Sequence, residues 1–333
     1  MSRKLITIST IMTLMSTSVI ADVPNVAADI APIHSLVSRV MDGVGAPKLI
    51  VQSGASPHGY RLRPSEAKAL QDADHVFWMG EELTPWLDSA IGTLASKASV
   101  TTLLDLQGVI LHDFREGALF EAHDHSAHGD DDHDDHDDHD DHDDHKDHDD
   151  HKDHDDHDDH DDHGSHDPHA WLSPENAKLW LNIIASKLSV SDPENAATYF
   201  MNAAAGQAEI EAMIAEVKAT LKPVQGGKFV VFHDAYQYFE NDFDFYASGA
   251  ISLGDSSDPS PARIEKVQKR IRDEGIQCVL AEPQFKKGLV ATVMEGSDAT
   301  ASVIDPLGAE LETGPKLYTR LIKNMAKTLR NCL

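Results

Sequence analysis

Residues 191–223 read SDPENAATYFMNAAAGQAEIEAMIAEVKATLKP. Ser191-Asp192-Pro193-Glu194 opens a helix with a capping side chain ahead of a proline whose fixed φ suits the first turn, and Pro223 closes it. Between them Tyr199, Ala203, Gly206, Ile210, Met213, Val217 and Leu221 recur at spacings of three and four, one continuous apolar stripe. About 28 residues at 1.5 Å each make a rod on the order of 40 Å long. The reading adopted is a stiff connector between two domains, although a long helix packed within one domain has the same periodicity.

On both sides of the rod, short apolar runs alternate with amphipathic stretches, the pattern of α/β domains rather than of a sandwich or a bundle. In the first half, strands fit Val26 to Ile30, Lys48 to Val51, His75 to Met79 and Val109 to Leu111, with helices near His34 to Met41 and Ser65 to Asp72. The second half repeats the rhythm with strands at Phe229 to Phe232, Cys278 to Ala281 and Ser302 to Ile304, and a closing helix from Lys316 to Asn331. The expected architecture is two (β/α) domains, residues 22–190 and 224–333, joined by the rigid helix 191–223, with a binding cleft between them.

The chain has 333 residues and a formal charge of −29, very unevenly spread. Between His123 and His166 lie 22 Asp, 2 Lys and 15 of the 21 histidines, so these residues carry −20 of the total. From His133 onward a histidine falls at every third position. So much like charge and so little apolar content cannot offset the entropy of ordering, which predicts a disordered insertion in a surface loop of the first domain. Imidazole and carboxylate together hold borderline metals such as Zn²⁺, so the tract reads as a low-affinity metal collector. The remaining body is mildly acidic and has no basic stripe to neutralise phosphates, which excludes nucleic acid as a partner.

The first 21 residues have two basic residues, an apolar run from Leu5 to Met15 and small residues ending at Val19-Ile20-Ala21. This is the pattern of a secretory signal peptide cut after Ala21, and the run is too short to span a membrane, for which about 20 residues are needed. No other stretch suits a polytopic membrane protein. Export also makes the two cysteines interpretable: in an oxidising compartment Cys278 and Cys332 read as a disulfide rather than as two free thiols.

Six histidines lie outside the tract. His233, in VVFHDAYQYFE, directly follows an apolar strand and so sits at a carboxyl end, where open α/β sheets place their binding crevices. His58, in GASPHGYRLRPSEAKAL, occupies a loop after a strand, and His169, in HDPHAWLSPENA, precedes a helix opened by Ser173-Pro174. Three such loops can converge on one ion. Asp305, in VIDPLG, follows a strand of the second domain and is the preferred fourth ligand or neighbour of a bound water. Glu282, in CVLAEPQF, reads as a supporting carboxylate because Pro283 marks a tight turn directly after it. His34 heads a helix and reads as a helix-entry residue; His75 and His112 flank strands without an assigned role.

Those five motifs, in this order and together with the histidine insertion, resemble the high-affinity zinc-uptake substrate-binding proteins of bacterial ABC transporters. These are periplasmic members of a metal-binding cluster that also includes manganese-binding proteins. The resemblance runs from about Val26 to the last residue. It implies two (β/α) domains joined by a rigid helix, one metal in the cleft, and a membrane permease with its cytoplasmic ATPase as partners of a monomeric periplasmic protein. Carried over by position, the ligands fall on His58, His169 and His233, and a C-terminal disulfide on Cys278 and Cys332. In some relatives a Glu before the first histidine supplies a fourth ligand; here that place is Pro57, which leaves the fourth position to Asp305 or water.

Three neutral imidazoles with one oxygen donor suit tetrahedral, borderline-soft Zn²⁺, whereas manganese prefers more oxygen donors. The same donor set is found in zinc hydrolases, and the tract alone could make the protein a periplasmic metal buffer. Against the hydrolase stands the lack of an HExxH or comparable base motif.

Overall fold

The computed structural model describes residues 23–115, 120, 166–252, 259–284 and 287–333. The expected signal peptide, and the histidine tract apart from His166, lie outside the described residues.

Each half of the chain forms a parallel four-stranded sheet. The first consists of β1 (Val26–Ala28), β2 (Lys48–Leu49), β3 (His75–Trp78) and β4 (Ser99–Thr102), in the order β2-β1-β3-β4. The second consists of β5 (Phe229–His233), β6 (Ala250–Ser252), β7 (Cys278–Ala281) and β8 (Thr300–Val303), in the order β6-β5-β7-β8. The inner strands β1, β5 and β7 carry near-continuous apolar runs because both faces of each sheet are covered. In β5, Phe229 and Val231 enter one core while Val230 and Phe232 enter another.

The first of these cores is shared by the two sheets. Five helices meet in it: α1 (Ala31–Val40), α4 (Pro174–Ser191), α5 (Ala196–Leu221), α6 (Gln237–Phe243) and α9 (Leu317–Cys332). Two outer cores lie on the far faces, one under α2 (Pro64–Gln71) and α3 (Pro85–Leu94), the other under α7 (Pro261–Glu274) and α8 (Lys287–Met294).

The rod is α5, 26 residues long, and its buried residues are the seven of the apolar stripe. It is not a bare connector, for it packs on α4 and α1 on the first-domain side and on α9 on the other. Gly206 permits the close approach: a Cβ there would lie 3.0 Å from Leu181 Cδ1 and 3.1 Å from Arg39 Cγ. Pro193–Asn195 forms a short 3₁₀ turn ahead of the helix, and Asp192 caps it by accepting the N–H of Asn195. The buried Asp192 also accepts the Tyr199 hydroxyl at 2.7 Å.

Two strand expectations need correction. Residues 109–111 are loop, not strand, and lie along α4: Ile110 N–H donates to Asn176 Oδ1 at 2.8 Å, and Asn176 Nδ2 donates to Ile110 O at 3.0 Å. The fourth strand is instead Ser99–Thr102, an edge strand. The last strand is Thr300–Val303 rather than Ser302 to Ile304; Ile304 only adds one further backbone bond to Ala281 O. Cys278, at the start of β7, is bridged to Cys332, at the end of α9, which pins the closing helix to its sheet.

Candidate metal centre

In the second sheet the chain runs outward from β5 to β6 and returns to place β7 on the other side, so the crevice opens beyond the carboxyl ends of β5 and β7. His233 is the last residue of β5. Val231 pairs with Leu280, and carrying that register two residues further sets His233 beside Glu282. His233 Nδ1 lies 2.6 Å from Glu282 Oε1, while Glu282 Oε2 accepts Gln284 Nε2 at 2.8 Å. Both His233 and Glu282 are 3% exposed.

His169 is held in the same manner from the other domain. Asp167 Oδ1 accepts its backbone N–H at 3.0 Å and faces its Nδ1 at 2.6 Å. The 3₁₀ turn Ala170–Leu172 follows, and Trp171 Nε1 donates to Pro306 O at 2.9 Å, linking this segment to the second domain. His58 is half-buried in the loop after β2, where its backbone N–H donates to Ser56 Oγ at 3.3 Å. The preceding peptide is fixed by Trp86 Nε1, which donates to Pro57 O at 2.7 Å.

These three histidines come together. One ring nitrogen from each lies within 4.8 Å of the others, and His233 Nε2 stands 3.4 Å from His169 Nε2. A carboxylate can only accept, so Asp167 and Glu282 each fix an Nδ1–H tautomer and leave the lone pair on Nε2. Two lone pairs facing each other at that distance can be bridged by one cation. Three imidazoles, two from loops of the first domain and one from the end of β5 in the second, make a donor set that could hold one tetrahedral, borderline-soft ion with a further position for an oxygen ligand. Both carboxylates behind the rings are already engaged in orienting them, so neither is placed as a general base on a bound water.

Asp305 does not join the cluster. Its carboxylate accepts the backbone N–H groups of Leu307, Gly308 and Ala309 at 3.0, 2.8 and 2.5 Å, closing the turn after β8. The expected fourth ligand, or neighbour of a bound water, thus sits outside the three-histidine group, with its carboxylate engaged by its own turn. Glu282 has the supporting part expected of it. Asp167 was not anticipated; in a sequence whose preceding tract is half aspartate, its one signal is its place two residues before His169.

The other histidines are elsewhere. His34 Nε2 lies 3.2 Å from Pro47 O, His75 Nε2 2.8 Å from Ser191 Oγ, and His112 Nε2 3.1 Å from Asn241 Nδ2. Beside His233, burial pushes the Asp234 carboxyl up while Arg115 pulls it down, and burial likewise raises Glu240 against Arg115. Burial disfavours the charge of Arg115, but Asp234 and Glu240 outweigh it and raise its pKa.

Residues 26–332 match the family described as ZnuA, zinc-uptake complex component A, periplasmic. The chain is 49% identical over 308 residues to the high-affinity zinc uptake system protein ZnuA of Brucella abortus (strain 2308), covering 92% of this chain and 91% of that one. It is 45% identical to the protein of the same name from Paracoccus denitrificans (strain Pd 1222), covering 94% and 93%. A crystal structure of ZnuA superimposes with a TM-score of 0.69 at 20% identity, over 93% of this chain and 99% of the other, which is a likeness of fold.

Proposed function

Because the chain belongs to the ZnuA family of periplasmic zinc-uptake components, we propose that it captures Zn²⁺ between its two domains through His58, His169 and His233 and releases it to an ABC-type membrane permease. The family is a transporter's solute-binding component and not an enzyme class. Among the described residues no helix is long and apolar enough to cross a membrane. The protein works in the periplasm as a monomer, after removal of residues 1–21. Its domains are residues 22–190 and 224–333, with 191–223 as the connecting helix. The family's transporter supplies the permease and the ATPase that drives uptake.

The observation that carries this reading is the convergence of three imidazoles from both domains within 4.8 Å. A ligand set divided between domains suits capture and release, because parting the domains separates His233 from the other two. Neutral nitrogen donors favour Zn²⁺ over Mn²⁺; copper outranks zinc in raw affinity for such donors, so selection against copper lies in availability.

X-ray absorption at the zinc edge on the loaded, tract-deleted protein tests this directly. The expected shell is three nitrogens at about 2.0–2.1 Å with one further light ligand. Replacing His233 with Ala in that background should abolish the one tight binding event. Retention of wild-type affinity by His233→Ala would overturn the assignment.

A further inference from the structure

The described residues on either side of the histidine tract form a short stem. Asp113 and His166 form an isolated antiparallel bridge, and Asp167 N–H donates to His112 O at 2.7 Å. The stem does not rest on the first domain alone. The Tyr238 hydroxyl, on α6 of the second domain, donates to Asp167 O at 2.7 Å and accepts the His112 N–H at 3.1 Å.

Two residues beyond Asp113 the stem sends Arg115 across the domain boundary. Its Nε lies 3.0 Å from both carboxylate oxygens of Asp234, its Nη2 also reaches Asp234, and its Nη1 donates to Glu240 Oε2 at 2.6 Å. The side chains of Asp234 and Glu240 are 6% and 1% exposed, that of Arg115 only 17%. The Phe120 ring covers the guanidinium, with its centroid 3.6 Å from Cζ. Arg263, another cation near Asp234, donates to the carbonyls of Ala250 and Ile251. Asp234 follows His233 directly, while the other strand of the stem continues through Asp167 to His169. One stem thus reaches the metal-binding loops of both domains.

We infer that Arg115 is a positioning residue for the zinc site, an interdomain tie that fixes the loop of His233 against the stem that carries His169. This rests on the zinc reading above and adds to it what sets the distance between ligands of different domains. A charged guanidinium with two buried carboxylates suits this task because its geometry is forked and its partners cannot turn to water instead.

The test compares the full chain with Arg115→Lys and with the triple variant Arg115→Met, Asp234→Asn, Glu240→Gln. The triple variant removes all three charges together, so that no buried carboxylate is left without its cation. Zinc affinity is read by chelator competition, the fold by the melting temperature of the metal-free protein, and the ligand geometry by the visible spectrum of the cobalt(II) form. The triple variant should melt within a few degrees of wild type, bind zinc at least tenfold more weakly and show an altered cobalt spectrum. Lysine, which keeps the charge but loses the fork, should restore part of the affinity.

A triple variant that melts normally and binds zinc like wild type would overturn the tie. Should it not fold, Arg115→Lys decides alone: weaker zinc binding with an altered cobalt spectrum supports the tie, and unchanged values for both overturn it. Failure of the zinc reading itself is distinguishable, because the wild-type protein would then show no tight zinc event at all.

Discussion

Asp167 Oδ1 accepts the backbone N–H of His169 and also meets its Nδ1, at 3.0 and 2.6 Å. One oxygen therefore fixes both the position of the peptide and the orientation of the ring, and it does so two residues from the imidazole it holds. Partners of this kind are worth about 10- to 100-fold in metal affinity. Asp167→Ala should weaken the tight zinc event by that factor, read by competition with a chromophoric chelator. Asp167→Asn keeps a carbonyl acceptor and should lose less. Equal losses in the two variants would mean that charge, not orientation, is what His169 needs from this residue.

Glu282 stands behind His233 as Asp167 stands behind His169, but it comes from a neighbouring strand rather than the same loop. Gln284 holds its second oxygen at 2.8 Å. Glu282→Gln leaves one acceptor and also places an amide N–H₂ where Gln284 now donates, so it should weaken zinc by about tenfold or more. Gln284→Ala should cost less, because the bond to His233 survives. The same competition assay ranks the two, and a larger loss for Gln284→Ala would contradict the assigned order of support.

Asp29 is wholly buried and accepts the N–H groups of Ile30 and Met79, both at 2.7 Å. Burial pushes its carboxyl up to about 7 although these N–H groups oppose the shift. In the unfolded chain the same group titrates near about 3.9. Between these values the native state binds the extra proton, so this residue makes stability fall as pH rises, by up to about 1.4 kcal/mol per pH unit. Asp29→Asn should remove that component. Denaturant unfolding of the metal-free protein from pH 4 to 7 should show a variant-minus-wild-type difference that grows with pH in favour of the variant; a constant difference would refute the assignment.

How far the sequence speaks for the fold depends on where residues are buried. The stripe on α5 was legible because Tyr199 through Leu221 faces a continuous core, and period alone reports that. Strand β4 was not, since Ser99-Val100-Thr101-Thr102 lies at a sheet edge and only Thr101 is buried, so no apolar alternation marks it. Val109 and Leu111 suggested a strand by composition, yet the backbone of Ile110 between them is satisfied by one side chain, Asn176, instead of a neighbouring strand. The three histidines stood out because each adjoins a strand exit or helix entry. Asp305 stood out for the same reason, by its position after a strand, while the N–H groups of its own turn engage its carboxylate.

The Cys278–Cys332 bridge closes a separation of 54 residues and ties α9 to the start of β7. In the chain-entropy view a loop of that size is worth about 4 kcal/mol of stability. Cys332→Ser should lower the melting temperature accordingly. Zinc affinity should stay within about twofold, because Glu282 lies beyond the opposite end of β7, some 13 Å along a strand that rises about 3.3 Å per residue. Calorimetry of the variant, with and without zinc, separates the two effects. A large loss of affinity would mean that the bridge holds the strand ends that shape the cleft and not merely the closing helix.

Deleting residues 123–164 removes 14 of the 15 tract histidines but leaves His166, which meets Asp113 at 2.9 Å, and leaves Asp167 and His169 intact. The stem and the three-histidine cluster therefore keep every contact described for them. A tract with so much like charge and so little apolar content should bind metal only weakly, whereas the cleft presents three imidazoles, two of them oriented by carboxylates. Titration calorimetry of the deletion variant should lose several weak events and keep one tight event with little change in affinity. Growth at ample zinc should be unaffected, with a deficit only when zinc is scarce, because collecting ions matters when encounter limits supply. Loss of the tight event would show that the tract supplies a primary ligand, and the fourth position would be the first place to look for it.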